Sequence, residues 1–192
     1  MWNKTSDWLF KVSSGWLALV GVLIFLLFTA LVLPAQSSSD DAFNADVGSP
    51  DLSFYYSADD LYQMAEAYGE AGRTEYIRVR FTFDLLWPLV YTFFLTTSIS
   101  WVYGRAFPGE HKVRRVNIIP LLGMLFDYLE NITTSTVIWR YPSQTPVLAS
   151  LAGVFTMIKW VLVGGSFLIL LVGIVIGIGK WLKNRKSSRQ SV

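Results

Sequence analysis

Four runs of apolar residues organise this sequence, and each is long enough to cross a bilayer. They occupy residues 16–33, 83–103, 116–138 and a stretch within 147–182, whose crossing part is read as 153–181. A helix needs about 20 largely apolar residues to pass ~30 Å of hydrocarbon. Lipid offers no hydrogen bonds to an exposed backbone, so a crossing segment must pair its own amides and folds as a helix. Apolar residues make up 53% of the 192-residue chain, more than an ordinary soluble domain carries. The expected fold is all-α: a single membrane domain, residues 1–192, built as an integral four-helix bundle. The flank Ala35-Gln36-Ser37 has a faint likeness to a signal cleavage site, but an 18-residue run is long for a signal core, so the first span is expected to be retained.

Charge sets the expected orientation. Of 16 Lys and Arg, 11 fall in three segments: Lys4 and Lys11; Arg105, Lys112, Arg114 and Arg115; and Lys180, Lys183, Arg185, Lys186 and Arg189. An even number of crossings places all three together, and such basic segments remain in the cytoplasm. Nine of the 14 acids lie in the first loop: Asp40, Asp41, Asp46, Asp51, Asp59, Asp60, Glu66, Glu70 and Glu75. Both termini, a loop at 104–115 and a tail at 183–192 are thus expected inside a cell (plasma or inner) membrane, with an acidic loop at 34–80 outside. Trp8, Trp16, Trp101, Trp139, Trp160 and Trp181 fall near span ends, where an interfacial belt belongs.

The outer loop carries its own helix signals. Ser57 is placed to cap a helix whose first turn holds Asp59 and Asp60. Leu61, Met64, Ala65 and Tyr68 follow at helical spacing, and Gly69 suits the left-handed position that ends a helix. A second helix is expected from about residues 71–74 into the second span. The loop is therefore read as a small amphipathic cap. Its apolar stripe packs on the bundle, on lipid or on another subunit, with Phe54-Tyr55-Tyr56 as an interfacial anchor.

Polar residues inside the third span are the sharpest local signal. Asp127, Glu130, Asn131 and Thr134 are spaced i, i+3, i+4, i+7 and so share one helix face. An ionised acid in a span costs a few kcal/mol even on the lenient insertion scale of about 2.5–3.5 kcal/mol, so these must face protein or water and find partners. Lys159 of the fourth span is expected at the same depth, because a short turn at residues 140–146 joins the two spans as a hairpin. It should pair with Glu130, Asp127 or both. Arg80 and Asp84 are four apart, and form either a wet surface pair or a link reaching Glu130 across the bundle. Gly173 and Gly177 form a GxxxG pair that permits close helix approach.

Other chemistry is absent from the pattern. The chain has no cysteine and one histidine, His111, which removes disulfides, thiolate metal sites and multi-histidine sites within one chain. No metal or cofactor is expected. No Ser-His-Asp set, HExxH or glycine-rich phosphate loop occurs, so no catalytic residue is assigned and enzymatic activity is the weaker reading. Asn131-Ile132-Thr133 and Asn3-Lys4-Thr5 match a glycosylation sequon, but one lies in a span and the other inside the cell.

With Tyr68-Gly69-Glu70-Ala71-Gly72-Arg73, Pro88-Leu89-Val90-Tyr91, Phe126-Asp127-Tyr128-Leu129-Glu130-Asn131 and Lys159-Trp160 in view, the chain resembles a broad group of uncharacterised prokaryotic four-span membrane proteins. The resemblance covers roughly residues 55–165 and centres on FD-x-x-EN in the third span. It implies the topology and the polar cluster and brings no reaction. The leading expectation is a non-catalytic accessory or scaffold subunit whose partners are membrane lipid, other membrane subunits or a second copy, with no nucleic acid. The runner-up is a small lipid-, cation- or proton-binding or transport protein built on Asp127, Glu130 and Lys159. A lipid-modifying enzyme stands third.

Overall fold

The computed structural model describes residues 2–34, 48–107 and 112–190, with backbone alone for residue 2 and residues 186–190. Asp40, Asp41, Asp46 and His111 lie outside the described residues. Among these residues the chain is helical, with no strand: α1 (Trp2–Val12), α2 (Gly15–Leu27), α3 (Ala58–Ala67), α4 (Gly69–Arg80), α5 (Phe83–Ala106), α6 (Ile119–Arg140) and α7 (Pro146–Gln190). Short turns at Phe28–Val32, Pro50–Leu52 and Lys112–Ile118 complete it.

Three stretches are long and apolar enough to cross a membrane: Gly15–Val32, Gly69–Ala106 and Pro146–Arg185. The third run, α6, is 22 residues long but falls short on hydropathy, because Asp127, Glu130, Asn131 and a row of threonines interrupt it. Its polar face is covered by protein, with Asp127, Glu130, Asn131 and Thr134 all buried. Ser14 caps α2, accepting from Leu17 N–H at 3.2 Å. That helix is apolar all round and mostly uncovered, with Leu27 59% exposed, which in water would be an aggregation liability.

Central α5 contacts α2, α6 and α7, and α6 packs along α7 as an antiparallel hairpin. Gly21 of α2 lies against Thr97 and the Phe94 backbone, and Phe25 stacks on Phe94 with ring centroids 4.6 Å apart. Gly173 of α7 lies against Tyr103 and Val102 of α5, where any β-carbon would clash, whereas Gly177 meets nothing within 4 Å. The GxxxG pair is thus divided: one glycine serves packing within the chain.

The cap follows its capping signals closely. Ser57 Oγ accepts from Asp60 N–H at 3.2 Å, and Asp60 accepts from Ser57 N–H at 2.9 Å, a reciprocal box. The Ser57 N–H and hydroxyl hold the Asp60 carboxyl below its ordinary range. Leu61, Met64, Ala65 and Tyr68 are buried with Val137 and Ile138 of α6 and Ala149 and Ala152 of α7, so the stripe packs on the chain's own helices. Gly69 has φ +63°, but α4 begins there, earlier than residues 71–74. Nor does α4 run unbroken into α5. A turn at Phe81–Thr82 separates them, and the Thr82 hydroxyl folds back to the Arg78 carbonyl at 2.8 Å.

At the opposite end one element is new and one expectation changes. The segment before the first run is a helix, α1. Its Ser6 and Leu9 are buried while Trp8 is exposed. Asn117 fastens it: its Oδ1 accepts from Ser6 Oγ at 2.8 Å, and its Nδ2 donates to Ser6 O at 3.2 Å and Ser100 Oγ at 3.1 Å. The segment after Leu182, read as a separate tail, continues α7 to Gln190.

Candidate functional site

The polar face of α6 is buried against α5 and α7 on the cap side of the molecule. Glu130 and Thr134 are fully buried, and Asp127 and Asn131 are nearly so. Helical spacing brings the four to one face, and each meets a different partner. Asp127 accepts from the Tyr91 hydroxyl of α5 at 2.9 Å and from Asn131 Nδ2 at 3.2 Å. Glu130 Oε2 pairs with the Lys159 ammonium, and Oε1 accepts from the Thr156 hydroxyl at 2.6 Å. Thr134 turns its hydroxyl to the Glu130 carbonyl at 2.9 Å, a local bond that satisfies the group inside an apolar segment. Hairpin depth thus predicts the Lys159–Glu130 pair; Asp127 instead takes neutral donors as its direct contacts.

Arg80 and Asp84 form an ion pair, and it is neither wet nor in contact with Glu130. Arg80 is 4% exposed, its guanidinium lies 4.4 Å from the Tyr76 ring centroid, and its second nitrogen reaches Asp51 at 2.5 Å. The other Asp51 oxygen lies 3.8 Å from Lys159 Nζ. Asp51 therefore joins the two halves of the cluster: Asp84–Arg80–Asp51–Lys159–Glu130. The link expected from Arg80 or Asp84 to Glu130 runs instead through Asp51, whose carboxylate lies between the two cations.

Asp51 arrives on a strap, residues 48–56, that lies over this end of the helices. Its Pro50–Leu52 turn is closed by Ser53 N–H bonding to the Pro50 carbonyl at 3.1 Å, and Gly48 O accepts from the Tyr68 hydroxyl at 2.9 Å. Tyr56 is 3% exposed, unlike Phe54 and Tyr55, so the three do not act together as an anchor. The Tyr56 hydroxyl lies 3.1 Å from that of Thr156, and its carbonyl sits where a β-carbon on Gly153 would be. Burial pushes the Tyr56 phenol well above its ordinary value, which keeps it protonated and able to donate.

Sequence reasoning set Tyr76, Trp87 and Tyr91 close to the Arg80–Asp84 pair but missed Asp51, Tyr56 and Thr156 as members of the cluster. One of these had a usable signal: Thr156 precedes Lys159 by three and shares its helix face. Tyr56 and Asp51 belong to an irregular segment where no period relates position to facing.

Among the described residues the cluster holds four carboxylates (Asp51, Asp84, Asp127, Glu130) against two cations (Arg80, Lys159), a formal excess of two negative charges if all are ionised. The carboxylates are strung along the helices, and no group of three or more His, Cys, Asp or Glu is gathered to hold a metal among the described residues. Chemically, such an array fixes helix register and can bind protons or a monovalent cation. No family model, curated protein or solved structure matches the chain.

Proposed function

We propose that this chain is a multi-pass protein of the cell (plasma or inner) membrane that crosses it four times as a four-helix bundle, with both termini in the cytoplasm. In this reading it is a non-catalytic accessory or scaffold subunit that packs against lipid, other membrane subunits or a second copy. The observation that carries the reading is a contrast. Every charge of the α6 face is turned inward and met by a partner, while the apolar faces of α2 and α7 are left open. α6 then crosses as a fourth span shielded by its neighbours. Membership of the prokaryotic four-span group with FD-x-x-EN in its third span belongs to the same reading.

Two experiments test it. The chain has no cysteine, so Leu52→Cys and Lys183→Cys give single thiols at the two ends. An impermeant maleimide applied to intact cells should label the first alone; labelling of the second would overturn the orientation. Native mass spectrometry from mild detergent should find the chain with bound lipid or with other membrane subunits. A bare monomer from every preparation would overturn the scaffold role.

One observation favours a second reading, a proton- or cation-binding or transport protein: carboxylates exceed cations four to two in a buried site. A lipid-modifying enzyme ranks below both, since it would need water to reach Glu130 under the strap.

A further inference from the structure

The strap puts a third acid between cations that already have partners. Arg80 is paired with Asp84, and Lys159 with Glu130, before Asp51 is counted. Removing Asp51 leaves three carboxylates for two cations; seating it makes four. Like charges at such range in a poorly hydrated site cannot all stay ionised. One acceptor in the cluster also has nothing to accept: Asn131 Oδ1 is buried, lies on the face of Asp127 and Glu130, and has no hydrogen-bond partner.

We propose that seating the strap over the cluster takes up one proton, so that the Asp51 strap is a proton-binding closure governed by the pH of the compartment it faces. The inference rests on the proton-binding reading above. Groups facing the seated carboxylate come from every neighbouring element: Arg80 and Tyr76 from α4, Asp84 from α5 with Tyr91 one layer deeper, and Lys159 from α7. Glu130 and Asp127 stand behind Lys159 on α6, and Tyr56 lies on the strap itself. The proton is taken up by the buried carboxyls Asp84, Asp127 and Glu130 as one set. The sign follows from linkage. The seated state holds more protons than the lifted one, so lowering the pH favours closure and raising it favours opening. The cover is thin enough to lift: Leu52, Phe54 and Tyr55 are exposed, and among the strap's side chains the seated ones are Ser49, Pro50, Tyr56 and, in part, Asp51 and Ser53.

The test uses the full cysteine-free chain in lipid nanodiscs. Ser49→Cys places a thiol at a buried strap position, and Leu52→Cys supplies an exposed reference that cancels intrinsic thiol chemistry. The ratio of maleimide labelling rates, Ser49→Cys over Leu52→Cys, should rise by up to about tenfold per pH unit within the titration window. Adding Asp51→Asn should make the ratio flat and low. A flat ratio in the otherwise wild-type chain overturns the proposal, and so does a slope that survives Asp51→Asn. If Asp51→Asn fails to fold, the first measurement still decides. Infrared difference spectra between acid and alkaline pH separate the two readings. A protonated-carboxyl band that is absent in Asp127→Asn/Glu130→Gln, with a flat ratio, sinks the strap coupling and spares proton binding. No such band with a flat ratio sinks both, and a slope without the band removes the cluster as the proton's home.

Discussion

Replacing Lys159 with methionine keeps most of the side-chain volume and removes the ammonium that pairs with Glu130. The carboxylate stays where it was, its side chain 1% exposed, with the Thr156 hydroxyl at 2.6 Å as its remaining direct support. Breaking a buried pair from one side costs about 3–5 kcal/mol, because the stranded charge is no longer compensated. For a chain of this size a kcal/mol moves the midpoint by about 2–4 °C, so the melt should fall by about 6–20 °C. Adding Glu130→Gln removes the stranded charge while an amide oxygen still accepts from Thr156. The double variant should then lie within about 4 °C of the parent, the residue of one imperfect hydrogen bond worth ~1 kcal/mol. Tryptophan-fluorescence melts in one detergent at fixed pH measure all three proteins. The deficit of Lys159→Met should also shrink from pH 8 to pH 5, since a proton can neutralise what the lysine no longer does. Equal melts for single and double variants, or a double variant below the single, would refute this account of the pair.

Further expectations test other parts of the fold. Gly173→Ala should cost about 1–3 kcal/mol by driving a methyl into Tyr103 and Val102, while Gly177→Ala should stay within ~0.5 kcal/mol; paired melts decide. Ser57→Ala should lose about 1 kcal/mol with the cap of α3, read by chemical denaturation. Because Asp60 is held below its usual range in the folded chain, its small, solvent-screened share of that loss should persist above pH ~4 and fade as the pH falls further. Asn117→Ala should release α1 and cost about 1–3 kcal/mol, seen as faster amide exchange over residues 2–12 with α5 unchanged.

What could be read from the residues alone depended on periodicity. The helices of the four runs, the Ser57 box, the cap stripe and the Lys159–Glu130 pair all express a repeat or a hairpin depth, and a repeat survives without coordinates. α1 escaped because Lys4, Asp7 and Lys11 mask the buried Ser6 and Leu9, leaving a short amphipathic segment that looks like a charged terminus. The break at Phe81–Thr82 escaped because Thr82 is tolerated in a helix, and its hydroxyl's return to the Arg78 carbonyl depends on local geometry. Asp51 escaped for the most general reason. A loop residue has no facing until the loop has a path, and this one is set by the Tyr68 hydroxyl on Gly48 and by Tyr56 lying against Gly153.

α7 is 45 residues long, which at 1.5 Å per residue makes a rod of about 68 Å. A crossing needs about 30 Å of it. Lys159 grips the rod near one end, and Gln190 lies about 46 Å further along the axis. A tilt of about 5° at the Lys159–Glu130 contact would carry the distal tip through about 4 Å as long as the Gly164-Gly165-Ser166 step between them stays straight, since α7 has no interior proline. The rod is a lever arm: a small change in what the Lys159 ammonium holds becomes a displacement a docked partner could feel.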